Sequence, residues 1–116
     1  MIESLALRTF RGWAFTAQRH LCFYCKHPMW STSAVAFAAR HRIATKHANL
    51  YQLTAEHLHP RQDGGKDTPA NIVAACAHCN HQRHEMFPRG APDPATYETF
   101  VLLSVAAGMW HDKTAG

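Results

Sequence analysis

Two Cys-x-x-Cys pairs constrain the fold of this chain more than any other feature of its sequence. All four cysteines fall in these pairs, which are Cys22-Phe-Tyr-Cys25 and Cys76-Ala-His-Cys79. A gap of two residues lets both thiolates of a pair reach one ion, and two pairs supply the four ligands of a tetrahedral Zn²⁺ site. Four thiolates leave no open coordination position, so we predict a structural zinc that joins two distant parts of the chain.

Disulfides and a redox dithiol are the alternatives for these cysteines. A redox pair normally lies in a thioredoxin-like strand–helix unit, and it would leave the second pair unexplained. Disulfide frameworks are typical of secreted proteins, whereas this sequence shows neither a signal-peptide pattern nor an apolar run as long as a membrane span. We therefore expect a cytoplasmic protein that does not contact a membrane.

The composition is that of a globular domain with a basic N-terminal half. The 116 residues suffice for one domain, and a content of 47% hydrophobic and 17% charged residues argues against disorder. The formal charge is +4, and seven of the twelve Lys and Arg residues lie in residues 1–55, which hold one acidic residue. Such a segment suggests a polyanionic partner, usually nucleic acid, although a merely soluble basic protein would have the same charge.

The hydrophobic pattern predicts an α+β fold. Four helices are expected, over residues 3–19, 33–48, 77–86 and from 94 onward, with Ser33 and Asp93 as N-caps. Two short strands, at 51–54 and 72–76, are joined by a loop rich in Gly, Asp and Pro and must therefore pair antiparallel. The residues expected to be buried on the helices are Phe10, Trp13, Ala14, Ala17, Leu21, Val35, Ala38, Ala39, Ile43, Tyr97, Phe100, Val101 and Val105.

A carboxylate and two imidazoles are crowded together in Ala-Glu-His-Leu-His-Pro, residues 55–60. Neither core packing nor a solvated loop favours this composition. Asn71 follows His57 by fourteen residues, after a pair of glycines, and Asn80 follows nine residues later beside the second cysteine pair. The ordered set marks a candidate reactive centre.

This order of motifs resembles the HNH endonuclease family, whose nucleases have a ββα-metal fold. The resemblance covers about residues 22–84 and implies a metal-dependent enzyme that hydrolyses phosphodiester bonds of double-stranded DNA. It implies one HNH nuclease domain over residues 1–116, with a ββα-metal core at 51–87 and flanking helices, stapled by the zinc that the four cysteines hold. Residues 1–50 would be the basic helical part that carries the first cysteine pair, and residues 88–116 would form the C-terminal helix.

The resemblance also assigns roles to the clustered residues. His57 is the expected general base, because an imidazole with an ordinary pKa of about 6.5 suits proton abstraction at neutral pH. Glu56 and Asn80 are expected to hold Mg²⁺ or Mn²⁺, ions that favour oxygen ligands. Asn71 would orient the His57 region, and His84, four residues after Asn80, would complete the metal site or contact the phosphate.

Three basic residues flank this centre and are expected to contact neighbouring phosphates without reading sequence: Arg61, Lys66 and Arg83. The sequence departs from the commonest family pattern at two positions. Glu56 stands where Asp or His is more usual, and Asn80 stands where many members have His. These differences affect the preferred metal more than the type of reaction. The remaining histidines, including His78 and His111, receive no assignment.

Two other functions fit the same residues. A catalytically inactive, zinc-stabilised nucleic-acid-binding module would use the cysteines and the basic surface but would have no need of His57. A structural zinc protein that bridges other proteins would show no salt-dependent affinity for DNA. If the chain is a nuclease, the resemblance suggests a bacterial or phage-encoded enzyme. A homodimer would be the simplest way to cut both strands, although no dimer surface can be read from the sequence.

Overall fold

The computed structural model describes residues 3–111. In this part of the chain, four helices and two strands follow in the order α1 (Leu5–Ala17), α2 (Ala34–His41), β1 (Leu53–His57), β2 (Ile72–Cys76), α3 (Ala77–Glu85) and α4 (Pro94–Ala106). Short 3₁₀ helices lie before β1 and in the loop between the strands, at Thr45–Tyr51, Arg61–Asp63 and Pro69–Asn71. The predicted α+β fold is confirmed.

The two strands form one antiparallel hairpin, as the short connection requires. Glu56 pairs with Val73, and His57 pairs with Ile72. The first strand begins at Leu53, two residues later than predicted, because Tyr51 belongs to a 3₁₀ helix. Glu56 and His57 are therefore successive residues of a strand, and their side chains point to opposite faces of the sheet.

The first helix has a serine cap, and its buried side was predicted correctly only in part, since Ala14 packs against the core as expected. Ser4 accepts a hydrogen bond of 3.1 Å from the backbone N–H of Leu7, and Leu7 is the residue of this helix that is buried. Trp13 is 60% exposed, and Ala17 is also exposed. The assignment of these two residues to the core was wrong. Helical spacing shows that apolar residues share one face of the helix, but it does not determine how the helix is rotated against the core.

The second helix is shorter than predicted. Ser33 caps it by accepting a bond from the N–H of Ala36, as expected, but the helix ends at His41. Arg42 then adopts a left-handed conformation with φ of 56°, which helices commonly show at the C-terminal end. Val35 is 67% exposed and Ala39 is exposed as well, so their predicted burial was wrong.

The last helix joins the core to the second cysteine pair. Asp93 accepts a bond from the N–H of Thr96 and so caps the helix at its predicted start. Tyr97 and Val101 are fully buried, whereas Val105, also predicted to be inside, is exposed. The Tyr97 hydroxyl donates a bond of 2.6 Å to the carbonyl of Cys79, which fixes α4 against the start of α3.

The hydrophobic core surrounds the four cysteines. The residues that form a single buried cluster with them include Tyr24, Met29, Leu53, Tyr97, Val101 and Trp110. In the part of the chain that the structure describes, no helix has the length and apolar character needed to cross a membrane.

Candidate functional site

The four cysteines converge on one buried point. Their sulfur atoms all lie within 4.8 Å of one another, and none of the cysteines forms a disulfide. The Sγ atoms of Cys25 and Cys76 are 3.9 Å apart, and two sulfurs bound to one tetrahedral Zn²⁺ at about 2.3 Å would be about 3.8 Å apart. The cluster is therefore positioned to hold a metal ion such as zinc, as the two sequence pairs predict.

Local backbone geometry sets the direction of these thiols. Cys22 Sγ accepts bonds from the N–H groups of Tyr24 and Cys76, at 3.4 and 3.3 Å. Cys76 Sγ accepts the N–H of Cys79 in the first turn of α3, at 3.4 Å. Backbone N–H groups that point at sulfur favour the thiolate form, which is the form that binds a metal.

Trp110 and His111 pack against the cysteine cluster, and the sequence did not predict this contact. Trp110 Nε1 donates a bond of 3.3 Å to Cys79 Sγ. His111 Nε2 lies 3.4 Å from Cys76 Sγ. Both side chains are buried. No spacing rule links these residues to the cysteine pairs, so only the folded chain brings them together.

Glu56 is buried and has three side-chain partners. Its Oε2 accepts bonds from the Tyr24 hydroxyl at 2.9 Å and from Arg83 at 2.8 Å, and its Oε1 lies 3.0 Å from His84 Nε2. Burial raises the pKa of Tyr24, and the nearby charge of Glu56 raises it further. The phenol therefore stays protonated and donates to the carboxylate.

Arg83 occupies a position different from the one expected. Its side chain is 1% exposed, and its guanidinium donates to Glu56 and to the backbone carbonyls of His57, Leu58 and Pro92. A guanidinium that is enclosed in this way does not face a DNA backbone. Arg83 is therefore not placed to make the phosphate contact that the sequence had suggested. Its hydrogen bonds instead connect α3 to the end of β1.

An open cleft of about 560 Å³ brings the other predicted residues together. It is lined by Glu56, His57, Arg61, Asn80 and His84, among others. Strand β1 supplies the first two residues, and α3 supplies the last two. The cleft therefore brings together most of the predicted site residues, whereas Asn71 and Lys66 do not line it.

The polar atoms in this cleft suit a small divalent cation. The 3.0 Å between Glu56 Oε1 and His84 Nε2 equals the separation of about 3 Å for neighbouring ligands of an octahedral ion with bonds of about 2.1 Å. Asn80 Nδ2 donates to Thr54 Oγ1 and to the carbonyl of Ala55, at 3.0 and 3.1 Å. These bonds use the amide nitrogen, so the amide oxygen is the atom of Asn80 that could serve as a ligand.

His57 is held by an acidic residue that the sequence analysis did not assign. His57 Nε2 lies 2.7 Å from Asp67 Oδ1. Both oxygens of Asp67 also accept bonds of 3.0 Å from Arg61. Hydrogen bonds from His57 and then from Arg61 hold the pKa of Asp67 below its ordinary value. The sequence alone could not identify Asp67 as the partner of His57, because Asp63 is another aspartate in the same loop.

Asn71 fixes the loop that carries Asp67. Its side-chain oxygen accepts the N–H of His59 at 2.8 Å, and its nitrogen donates to the carbonyls of His59 and Lys66 at 3.1 and 3.0 Å. At Gly65 an added Cβ would lie 1.7 Å from the carbonyl oxygen of His59. The loop therefore needs a glycine there, and Asn71 stands where an orienting residue would act.

Residues 39–86 match the family model described as HNH endonuclease. The predicted resemblance is confirmed over this segment. No curated protein and no solved structure matches the chain.

The HNH segment contains the hairpin, α3 and every residue that lines the cleft except Leu7. It includes Cys76 and Cys79 but not the first cysteine pair. The cysteine cluster thus joins the HNH segment to the turn after α1. Tyr24, which bonds to Glu56, also comes from that turn.

Proposed function

We propose that the protein is a metal-dependent HNH endonuclease that hydrolyses phosphodiester bonds in double-stranded DNA. The observation that carries this proposal is the cleft in the HNH segment, where His57 lies beside three side chains suited to a divalent cation. Those three side chains are Glu56, Asn80 and His84. We also propose that residues 1–116 act as one domain, because the cysteine cluster joins the N-terminal part to the HNH core.

His57 would act as the general base. It would take a proton from the water that attacks the phosphorus, since a neutral imidazole is a competent base near pH 7. His57 follows Glu56 in strand β1, and the two side chains point to opposite faces of the strand. Because both residues nevertheless line the same cleft, the base and the cation could act on one phosphate bound there.

Glu56, Asn80 and His84 would hold Mg²⁺ or Mn²⁺, with Zn²⁺ in the cysteine cluster. When bound, the cation supplies charge neutralisation at the phosphate and at the leaving oxygen. Tyr24 and Arg83 would hold the Glu56 carboxylate in its orientation toward the cleft. Their bonds go to Oε2, so Oε1 is the oxygen that faces His84.

Arg61 and Lys66 would contact phosphates beside the cleft. The Arg61 side chain is 55% exposed even while it contacts Asp67, and Lys66 is exposed in the same loop. Contacts of this kind add affinity that weakens with salt and does not depend on base sequence. Arg83 is not part of this surface, because its guanidinium is buried.

A plasmid assay tests the proposal. Zinc-loaded protein should nick or linearise supercoiled plasmid when Mg²⁺ or Mn²⁺ is added. His57→Ala should abolish cleavage and leave the zinc content unchanged, as measured by metal analysis. If DNA binding in a gel shift is strong while neither ion supports cleavage, the protein is instead an inactive nucleic-acid-binding module.

A further inference from the structure

We infer that Asp67 positions the general base. Its carboxylate holds the imidazole of His57 and fixes Nε2 as the protonated nitrogen, which leaves Nδ1 to accept a proton. The catalytic part of this inference rests on the proposed function. The part that concerns the state of the imidazole rests on geometry alone.

The hydrogen bond between these two residues determines the tautomer. An ionised carboxylate can only accept a hydrogen bond, so the 2.7 Å contact between Asp67 Oδ1 and His57 Nε2 places the proton on Nε2. A neutral imidazole then has its lone pair at Nδ1. Within residues 3–111, no protein group forms a hydrogen bond with Nδ1 of His57.

Contacts within the loop fix the position of the Asp67 carboxylate. Arg61 bonds to both of its oxygens at 3.0 Å. Asn71 bonds to the carbonyl of Lys66, the residue before Asp67, and Gly65 permits the close approach of the loop to His59. Arg61 therefore fixes the carboxylate of Asp67 directly, and Asn71 fixes the backbone beside it.

This arrangement has a direct consequence for proton transfer. When Nδ1 takes the proton of the attacking water, the hydroxide that remains forms the new bond to phosphorus while the phosphorus–oxygen bond to the leaving group breaks. The leaving alkoxide takes a proton from solvent, and His57 becomes an imidazolium. Nε2–H continues to donate to Asp67, whose negative charge stabilises the imidazolium without accepting its proton. Arg61 keeps Asp67 ionised throughout. Asp67 does not touch the substrate in this scheme, so it is a positioning residue.

The tautomer can be observed in the zinc-loaded full chain labelled with ¹⁵N-histidine. At about pH 8, where an ordinary imidazole is neutral, two-dimensional ¹H–¹⁵N spectra should show His57 with a protonated Nε2 and an unprotonated Nδ1. His57→Gln identifies the His57 signals. In Asp67→Asn, which keeps the size of the side chain, the His57 signals should change to those of a mixture of tautomers.

Kinetics on the same variants provide the second readout. Asp67→Asn should lower kcat roughly 10- to 100-fold with little change in KM, which is the usual loss when an outer partner that orients a functional histidine is removed. Asp67→Glu should restore part of the rate, because it restores the charge. Asp63→Asn, in the same loop, should behave like the wild type in both measurements.

The two proposals fail in distinguishable ways. Wild-type protein that never cleaves DNA overturns the proposed function, whereas the ¹⁵N spectra still decide whether Asp67 fixes the imidazole. If the Asp67→Asn protein is folded, as its spectrum and zinc content show, and keeps the wild-type tautomer, the inference is overturned. An unchanged kcat in this variant would overturn the catalytic part of it.

Discussion

Arg83 donates a hydrogen bond of 2.8 Å to the carboxylate of Glu56, and each of the two side chains is 1% exposed. A buried charge costs several kcal/mol unless a partner compensates it. The ion pair with Arg83 therefore compensates the buried carboxylate at the inner wall of the cleft. A residue that looks like a DNA contact in the sequence instead supports a candidate metal ligand.

Removal of Arg83 should destabilise the protein. Arg83→Met leaves the Glu56 charge buried without its cation, and we expect the free energy of unfolding to fall by about 3–5 kcal/mol. Urea unfolding of the zinc-loaded protein measures this loss. The double variant Glu56→Gln/Arg83→Met should recover part of it, because no charge is then left uncompensated. A loss below about 1 kcal/mol would show that the pair is not essential to the fold.

Tyr24→Phe tests the same carboxylate without removing a charge. It deletes the hydroxyl that bonds to Glu56 Oε2 at 2.9 Å. A hydrogen bond to a charged group contributes about 1.5–3 kcal/mol, so the loss of unfolding free energy should be smaller than for Arg83→Met. The reverse order of the two losses would be inconsistent with the ion pair as the main partner of Glu56.

Removal of the metal from the cysteine cluster should unfold the core. The cluster joins the turn after α1 to the junction of β2 and α3, and structural zinc sites contribute about 10–16 kcal/mol to folding in small zinc domains. We expect one zinc per chain, and a loss of helical circular dichroism when a chelator removes it. Zn²⁺ should restore the signal, whereas Mg²⁺ should not. A metal-free chain with an unchanged spectrum would exclude a structural role for the ion.

His84→Ala should weaken the binding of divalent cations in the cleft. The imidazole lies 3.0 Å from Glu56 Oε1, and its removal should lower the affinity for Mn²⁺ roughly tenfold or more. Electron paramagnetic resonance of unbound Mn²⁺ measures this affinity. His81→Ala is the matched control, because His81 is an exposed histidine on the same helix that does not line the cleft. Equal affinities in the two variants would remove His84 from the metal site.

Alanine substitutions at Gly65 and Gly12 should change the free energy of unfolding in opposite directions. At Gly65 a Cβ would overlap the carbonyl oxygen of His59, whereas at Gly12 in α1 it would meet nothing within 4 Å. Gly65→Ala should therefore lower the free energy of unfolding by about 1–3 kcal/mol, and it should also slow cleavage by displacing Asp67. Gly12→Ala should raise stability by about 1 kcal/mol, since alanine favours a helix. Thermal unfolding compares the two, and a neutral Gly65→Ala would contradict the tight loop.

The sequence predicted local features well and long-range ones poorly. The cysteine pairs, the Asp93 cap and the 72–76 strand depend on spacing within a few residues, and each was found where it was expected. Trp13 and Val35 were placed in the core by helical periodicity, which does not specify how a short helix is rotated against its neighbours. The tertiary packing decided that rotation.

The same limit applies to the site. Glu56, His57 and Asn80 were predicted from their order along the chain, and the structure places all three at one cleft. Tyr24, Asp67 and Trp110 were missed, because their importance depends on contacts made only in the folded chain. Arg83 was misplaced for the same reason: a basic residue near the site looks exposed until its buried carboxylate partner is known.

The most direct test of the account is the rate of phosphodiester cleavage in a single-turnover experiment. Zinc-loaded wild type and His57→Ala are each mixed in excess with an end-labelled DNA duplex and Mg²⁺ or Mn²⁺. We predict that the wild type cuts the duplex, and that His57→Ala is slower by at least about 100-fold with unchanged zinc content and DNA affinity. An intact duplex with the wild type, or equal rates for the two proteins, would contradict the assignment of His57 as the base of a nuclease.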